Sequence, residues 1–418
     1  MTLLHTMAPH PRKWFHAPWE FREAALAATL TLALGFAVQY SLGGAGITMP
    51  AWPLNGIILA LIALATLTLG LSFRNHPMVQ WLGGIPLGLS LILSLAILSF
   101  IGGMVPQGAA GNPAAMQLGL YSIFSSWPFA LTVAIFFVNL GLSLVWKTIP
   151  FSPKNLQFIL FHAGFWIALA CGIFGSSDLQ RLVVPVYEGR STSRGLVSGE
   201  GRDVVELPFS IKLHDFSIEE YPPQLMFYDP ESDRFIMAGS QAVTEVHKGT
   251  RVSWKGTDVE VTEFMTSAMP GPSGNPVAAP PSAGIPYAKV RITGSGAQPD
   301  TWLSTGGPGM RPYVAGIDSQ ILIMVPGSPK SYRSAVTLQA EGGRSLEAEL
   351  EVNKPVNFEG WKIYQMGYDE ESGRFSTLSL LEAIRDPWLP GVYLGFFMIL
   401  GGNALFFWNG IKRSGVQA

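Results

Sequence analysis

The segment FILFHAGFWIALACGIF at residues 158–174 decides the fold of this chain. It is a continuous apolar run whose only ionisable groups are His162 and the weakly acidic Cys171. A helix of about 20 mostly apolar residues is long enough to cross the hydrocarbon core of a bilayer. The segment therefore predicts a membrane-spanning helix over residues 156–175, and the rest of the chain has to be organised around a membrane.

Five further apolar segments on either side of this helix have the same character. The complete set of predicted spans is 23–43, 54–73, 82–103, 128–146, 156–175 and 388–409. Charged side chains follow this division, because residues 24–176 contain only Arg74, Lys147 and Lys154 while residues 177–386 contain 46 of them. The sequence thus predicts six transmembrane helices and one large hydrophilic domain between the fifth and the sixth.

Cationic residues outside the hydrophilic domain predict the orientation. They are Arg12, Lys13, Arg22, Arg74, Lys147, Lys154, Lys412 and Arg413, and all lie on one side, whereas the connections 44–53 and 104–127 have none. Cytoplasmic loops carry the excess of Lys and Arg. Both termini are predicted to be cytoplasmic and the large domain extracytoplasmic. The first span lacks a small-residue cleavage pattern and is therefore interpreted as a helix that stays in the membrane rather than as a signal peptide.

The predicted organisation has six parts. They are a cytoplasmic N-terminus (1–22), two additional transmembrane helices (23–81), three core transmembrane helices (82–176), an extracytoplasmic β-rich domain (177–387), a final transmembrane helix (388–409) and a cytoplasmic tail (410–418).

Residues 204–218 (VVELPFSIKLHDFSI) indicate the fold of the hydrophilic domain, because they alternate apolar and polar side chains as a half-buried strand does. Similar runs occur at 234–247, 251–264, 286–293, 319–326, 332–340, 346–353, 360–368 and 374–381. Gly, Pro, Asn and Asp separate them, which favours an antiparallel sandwich or a barrel-like sheet. Residues 266–286 are rich in Pro, Gly and Ala and predict a mobile loop. The domain is mildly acidic, which gives no support for nucleic-acid binding.

Cysteine usage excludes two classes of function. Cys171 is the only cysteine, so no intrachain disulfide and no C-x-x-C or C-x-x-C-H motif can exist. The chain is therefore neither a thiol–disulfide carrier nor a c-type cytochrome.

His162 is the candidate functional residue, because an ionisable side chain at membrane depth is costly. Its imidazole can ligate a haem iron, relay protons or donate a hydrogen bond to a neighbouring helix. At 100° per residue its face of the helix is aromatic and aliphatic, and comprises Phe158, Ile159, Phe165, Trp166, Leu169 and Ile173. Gly164, Ala168 and Gly172 form a ladder of small residues on the opposite face, where another helix can approach closely. A purely structural hydrogen bond stays an open alternative. No other predicted span contains a histidine, so a second axial ligand would come from another protein.

Six ordered motifs resemble a known family. They are GGMVPQ (102–107), SSWPFAL (125–131), FHAGFWIALACGIFGS (161–176), LPFSIKLHDFSIEEY (207–221), VNKPVNFEGWKIYQMGYD (352–369) and RDPWLPGVYLGFFMILGG (385–402). Together they resemble the ResB or CcsB family of system II cytochrome c maturation. The resemblance implies a bacterial cytoplasmic membrane, a CcsA-like tryptophan-rich partner, haem b as the transported cofactor and apocytochrome c as the acceptor. An extracytoplasmic thiol-reducing protein is a further implied partner.

The same resemblance implies that His162 is a haem axial ligand. Phe158, Phe165 and Trp166, which helical spacing places on the face of His162, are then the candidate contacts of the haem face. The chain departs from the family in having two additional leading spans and no Trp-Trp-Asp motif. It is therefore interpreted as a non-catalytic subunit of a cytochrome c synthase complex that delivers haem, rather than as an enzyme by itself. The alternative is a haem-free scaffold or chaperone for apocytochrome c. An electron-transfer b-type subunit is disfavoured by the single intramembrane histidine.

The segment 352–369 also predicts a hairpin that places Trp361, Ile363 and Gln365 on one face of a strand. Core packing of the domain is the favoured interpretation of this face. A docking surface for the partner or for apocytochrome is the alternative.

Overall fold

The computed structural model describes residues 19–108, 111–197, 203–235, 244–281 and 283–414, with side chains described up to residue 408. Most of the predicted N-terminal segment (1–22) and the last residues of the predicted tail (410–418) lie outside these ranges. The chain divides into two compact units. The first comprises residues 1–179 with 386–418, and the second comprises residues 180–385.

The first unit is helical. Its helices are α1 (Phe21–Ser41), α2 (Leu54–Ser72), α3 (Pro77–Leu82), α4 (Ile85–Met104), α5 (Pro113–Gln117), α6 (Trp127–Thr148), α7 (Leu156–Phe174) and α8 (Leu389–Ser414), with 3-10 helices at Leu120–Ser125 and Pro153–Asn155. Among the described residues, α1, α2, α4, α6, α7 and α8 are long and apolar enough to cross a membrane. The prediction of six spanning helices is therefore confirmed.

Buried polar side chains fix the ends of these helices. The Gln39 side chain is fully buried; its Oε1 accepts from the backbone N–H of Trp127 at 2.9 Å, at the start of α6. Asn139 in the middle of α6 donates to the carbonyl of Gly84 at 3.1 Å, just before α4 begins. The Trp146 indole donates to the carbonyl of Gly70 in α2 at 2.9 Å. The Trp127 N–H and the Gly70 carbonyl have no partner within their own helices, whereas the Gly84 carbonyl also accepts from the backbone of Gly88. These bonds matter because no water is present in the hydrocarbon to replace them.

The second unit is built from antiparallel strands. They are β1 (Gln180–Tyr187), β2 (Ser191–Val197), β3 (Val204–Glu220), β4 (Gln224–Asp229), β5 (Arg234–Phe235), β6 (Thr244–Glu245), β7 (Arg251–Trp254), β8 (Thr257–Pro270), β9 (Pro276–Ala278), β10 (Ile285–Gly294), β11 (Gln298–Ser304), β12 (Ala315–Ile317), β13 (Gln320–Val325), β14 (Pro329–Ala340), β15 (Ser345–Glu351), β16 (Val356–Phe358), β17 (Trp361–Tyr368) and β18 (Leu378–Arg385). The predicted β-rich antiparallel domain is confirmed.

The largest sheet has the order β15-β14-β3-β2-β1-β18-β17-β16 and is nearly closed into a barrel, because its two end strands approach each other. Its inward side chains form one hydrophobic core, which includes Val184, Ile211, Leu338 and Leu381. β1 and β18, the first and last strands of the domain, are neighbours in full register from Gln180 opposite Arg385. The two chain ends of the domain therefore leave the sheet side by side.

Two smaller sheets complete the domain. Their orders are β11-β10-β8-β7, with β9 on β8, and β12-β13-β4-β5, with β6 on β4. Side chains from both sheets share a second core that includes Phe227, Val261, Val290 and Leu322.

The predicted mobile loop at 266–286 is wrong for much of its length. β8 continues to Pro270, and Pro276–Ala278 forms β9 against it, with Met269 opposite Val277. Pro276 is the first residue of the edge strand β9 and Pro270 is the last residue of β8, so both prolines lie at strand ends, where a missing N–H is tolerated. Of the strand predicted at 234–247, only its two ends are strands, and residues 236–243 lie outside the described residues.

Candidate functional site

His162 lies in the second turn of α7 and is half-buried. Its Nδ1 atom is 3.0 Å from the carbonyl oxygen of Phe158, four residues earlier. A carbonyl can only accept, so Nδ1 carries the proton and donates in the neutral imidazole. The lone pair then resides on Nε2, the nitrogen that is free to bind a metal or to accept a proton.

Aromatic rings hold the imidazole in place. The Phe158 ring stacks on it with a centroid distance of 3.7 Å and an interplanar angle of 17°. Phe161 meets it edge-on, at 5.4 Å and 66°. These contacts restrict the rotation of the ring and give Nε2 a defined direction.

The other two aromatic residues predicted for this face point towards α6. Phe165 meets Phe136 edge-on at 6.0 Å and keeps 39% of its surface exposed. Trp166 stacks on Phe137 at 4.4 Å and 22°, within the bundle. The structure therefore places Phe158 directly against His162, leaves Phe165 partly exposed on the outer surface, and assigns Trp166 to helix packing. Their role as haem contacts stays a prediction.

The ladder of small residues packs α7 against α8. A Cβ atom added to Gly164 would lie 2.5 Å from the carbonyl oxygen of Gly395, and one added to Gly395 would lie 2.8 Å from the Cβ of Ala168. The prediction is confirmed for Gly164 and Ala168, whereas a Cβ added to Gly172 would meet nothing within 4 Å. Cys171 contacts Gly391 of α8 and so shares no surface with His162.

Cationic side chains lie around the connection between α6 and α7. The Arg74 guanidinium donates to the carbonyl of Ile149 at 2.9 Å, and the Asn155 amide donates to the carbonyl of Lys147 at 2.9 Å. The Lys147 ammonium lies 5.9 Å from the centroid of the Phe158 ring. The end of α6 is thus fixed next to the start of α7.

At its other end, α7 is followed by a carboxylate that sequence reasoning missed. Asp178 accepts from the backbone N–H of Trp52 at 2.8 Å, the Asn55 amide at 2.7 Å and the Trp388 indole at 2.6 Å. Desolvation alone would raise the pKa of Asp178, but these hydrogen bonds outweigh it and hold that pKa below its usual value. The carboxylate joins the starts of α2 and α8 to the end of α7. Its position as the first charged residue after an apolar span was the available signal.

A metal bound by several side chains of this chain has no support in the described residues, which contain no group of three or more His, Cys, Asp and Glu side chains near one another. One imidazole with a free Nε2 fits a single axial position of a haem iron.

Trp361, Ile363 and Gln365 lie on β17, in the predicted hairpin. The two-residue turn has positive φ at Glu359 (48°) and Gly360 (78°), which confirms the hairpin. All three side chains are buried, with Ile363 at 0% exposure. Gln365 accepts from Ser334 at 2.7 Å and donates to Ser379 at 3.1 Å. Core packing accounts for this placement, and a docking role for these residues stays a prediction that their burial does not favour.

The helices and the inserted antiparallel domain define a multi-pass membrane protein with a large hydrophilic domain between its fifth and sixth spanning helices. A model of the ResB-like family matches residues 310–386, the last part of the β domain from before β12 to the end of β18. This match confirms the resemblance to that family, whose context is the system II pathway of cytochrome c biogenesis. No curated protein matches the chain. The α7 segment with His162 lies outside the matched residues.

Proposed function

We propose that this chain is the haem-holding subunit of a membrane complex that attaches haem to apocytochrome c. In this complex His162 provides one axial ligand, and a histidine of a CcsA-like partner provides the other. The chain itself makes no thioether bond. Its task is to hold haem in the membrane and to orient it for delivery to the acceptor.

One observation carries the proposal. The hydrogen bond from Nδ1 of His162 to the Phe158 carbonyl selects the tautomer whose Nε2 lone pair is available. A ligating histidine commonly donates its other ring N–H to a carbonyl or carboxylate, which fixes the ring and raises its basicity. Stacking on Phe158 fixes the same ring from its face. A purely structural histidine would also gain from pairing Nδ1, so the feature that favours ligation is Nε2, for which the described residues record no hydrogen-bond partner.

The proposal includes an orientation. Lys147, Lys154 and Arg74 lie on the cytoplasmic side, and the β domain lies outside a bacterial cytoplasmic membrane. His162 is about 10 Å along α7 from its start at 1.5 Å per residue, hence in the leaflet on the Lys147 side. Haem made in the cytoplasm can reach this position without crossing the whole bilayer.

The competing function is a haem-free scaffold that captures apocytochrome c. The family match favours it in one respect, because the matched residues 310–386 all lie in or next to the β domain. In that case His162 would only donate its internal hydrogen bond.

Visible spectroscopy of the chain purified with its CcsA-like partner separates the two functions. We expect His162→Ala to lower the haem bound per complex at least tenfold and to abolish the spectrum of a bis-imidazole haem. His76→Ala is the matched control, because His76 is exposed before α3 and its side chain makes no capping bond there. Equal haem content and spectra in His162→Ala and wild type would refute the proposed function.

A further inference from the structure

Lys147 is placed beside the His162 site by an aromatic ring that both residues contact. Its ammonium is 5.9 Å from the Phe158 centroid, and Phe158 is stacked 3.7 Å from the His162 ring. The ammonium and the imidazole are therefore less than about 10 Å apart. A cation, a phenyl ring and an imidazole with a free Nε2 share one small region at the end of the bundle.

Among the residues that the structure describes, the Lys147 ammonium has no competing anion. Within the described parts of the chain, no carboxylate is recorded as an ion-pair partner of Lys147, and its contact is with the face of Phe158. The neighbouring cation Arg74 is already engaged by the carbonyls of Ile149 and Trp146. The backbone of Lys147 is held by Asn155, so its side chain is presented from a fixed position.

The strength of these contacts decides whether a ligand can recruit the ammonium. A cation over an exposed aromatic ring is held only weakly. A charge-assisted hydrogen bond between an ammonium and a carboxylate is about twice as strong as a neutral one, and more so at the edge of a low-dielectric region. An anionic ligand would therefore draw Lys147 away from Phe158 rather than leave it there.

The shape of the ligand sets where its anionic groups fall. An imidazole binds a metal through a nitrogen lone pair that lies in the plane of the imidazole ring. A macrocycle around that metal therefore lies roughly perpendicular to the bond between the imidazole and the metal, and its edges extend away from that bond. The two carboxylates of a haem are carried on flexible chains at one edge of the macrocycle. Carboxylates in hydrocarbon are costly unless they are paired or reach the interface. A cation held over the ring that stacks on the imidazole, near the start of α7, meets this requirement.

We propose that Lys147 is a second binding residue of the His162 site, whose ammonium pairs with a carboxylate of the haem that His162 ligates. The inference rests on the proposed function and extends it by assigning the residue that recognises the edge of the ligand. Phe158 then has two tasks, since it stacks on the ligating imidazole and keeps the ammonium nearby until a ligand enters. A phospholipid phosphate offers the same anionic oxygen chemistry, so the test has to separate the two sources.

The test compares haem with haem dimethyl ester, in which both carboxylates are blocked while the iron and the macrocycle are unchanged. Each is titrated into the full chain with its CcsA-like partner in lipid nanodiscs, and binding is followed by visible absorbance. Wild type is expected to bind haem at least tenfold more tightly than the diester. Lys147→Met, which keeps the length of the side chain without its charge, is expected to bind both ligands equally.

Lys154→Met is the matched control. Lys154 belongs to the same connection, is exposed, and should leave the preference for haem unchanged. If Lys147→Met keeps the wild-type preference, the inference is refuted while ligation by His162 stands. If Lys147→Met weakens haem and diester equally, the lysine serves packing or a lipid phosphate, and the inference is again refuted. If instead His162→Ala binds haem with the wild-type spectrum, it is the proposed function that fails.

Discussion

The contact between α7 and α8 gives the sharpest test of how the His162 helix is held. In Gly164→Ala the new Cβ would lie 2.5 Å from the Gly395 carbonyl oxygen and 2.9 Å from the backbone nitrogen of Ile399. These are backbone atoms, so relief requires the two helices to move apart. Overpacking of this kind costs about 1–3 kcal/mol. The better helix propensity of Ala returns at most about 1 kcal/mol.

Gly172→Ala is the matched control, because it makes the same chemical change on the same helix where a Cβ meets nothing within 4 Å. The difference in free energy of unfolding between the two variants isolates the packing term, which we expect to be about 1–3 kcal/mol. Unfolding is measured by tryptophan fluorescence during titration of mixed micelles with SDS. Equal stability of the two variants would show that α7 and α8 do not pack through Gly164, and the assignment of this face would have to be abandoned.

Two further predictions concern polar side chains that make several hydrogen bonds. Because the pKa of Asp178 is lowered, its carboxylate stabilises the fold above the ordinary value of 3.8, and this stabilisation is lost as the pH falls through the lowered pKa. Because Asp178 is partly accessible to solvent, Asp178→Asn should cost only about 0.5–1.5 kcal/mol at pH 7, and it should make the acid dependence of the unfolding midpoint shallower. An unchanged acid dependence would contradict the assignment. Gln365→Leu should lower the free energy of unfolding of the β domain by about 1–3 kcal/mol, because the buried hydroxyls of Ser334 and Ser379 lose a hydrogen-bond partner. Thermal denaturation followed by circular dichroism measures this loss of stability. An unchanged stability would mean that the two hydroxyls find other partners.

The helical unit could be predicted from the sequence almost completely, because a single physical requirement determines it. A span has to be apolar over about 20 residues, and this pattern gave the six long helices within a few residues at each end. The short α3 and α5 were not predicted. They lie in the connections, where neither hydrophobic length nor periodicity constrains the chain.

The β domain could be predicted only in part, since period-two alternation appears only where one face of a strand is buried. β3 and β14 alternate clearly and were predicted close to their true bounds. β2 (STSRGLV) has little apolar alternation, and it was missed because its partners β1 and β3 determine its conformation. Because of the prolines near β9, this strand was predicted as part of a loop, since composition alone cannot distinguish an edge strand from a loop.

The candidate site was predictable in its identity but not in its contacts. A histidine within an apolar run can be recognised from the sequence as a candidate site, and helical spacing placed Phe158 on the same face of the helix. Spacing could not show that Trp166 turns to α6 or that Lys147 reaches Phe158, because both depend on how α6 packs against α7. Asp178 was missed for the same reason, as its three donors come from distant parts of the chain.

The Asp178 junction also bears on the two leading helices, whose purpose the sequence leaves unexplained. Two of its three hydrogen-bond donors, Trp52 and Asn55, precede or begin α2, and the third, Trp388, immediately precedes the final helix. A shortened protein starting after residue 76 would leave the Asp178 carboxylate with one of these three donors. The two leading helices therefore belong to the same folding unit as the helix that carries His162. Removing them to leave a four-helix protein would remove hydrogen bonds that hold the end of that helix.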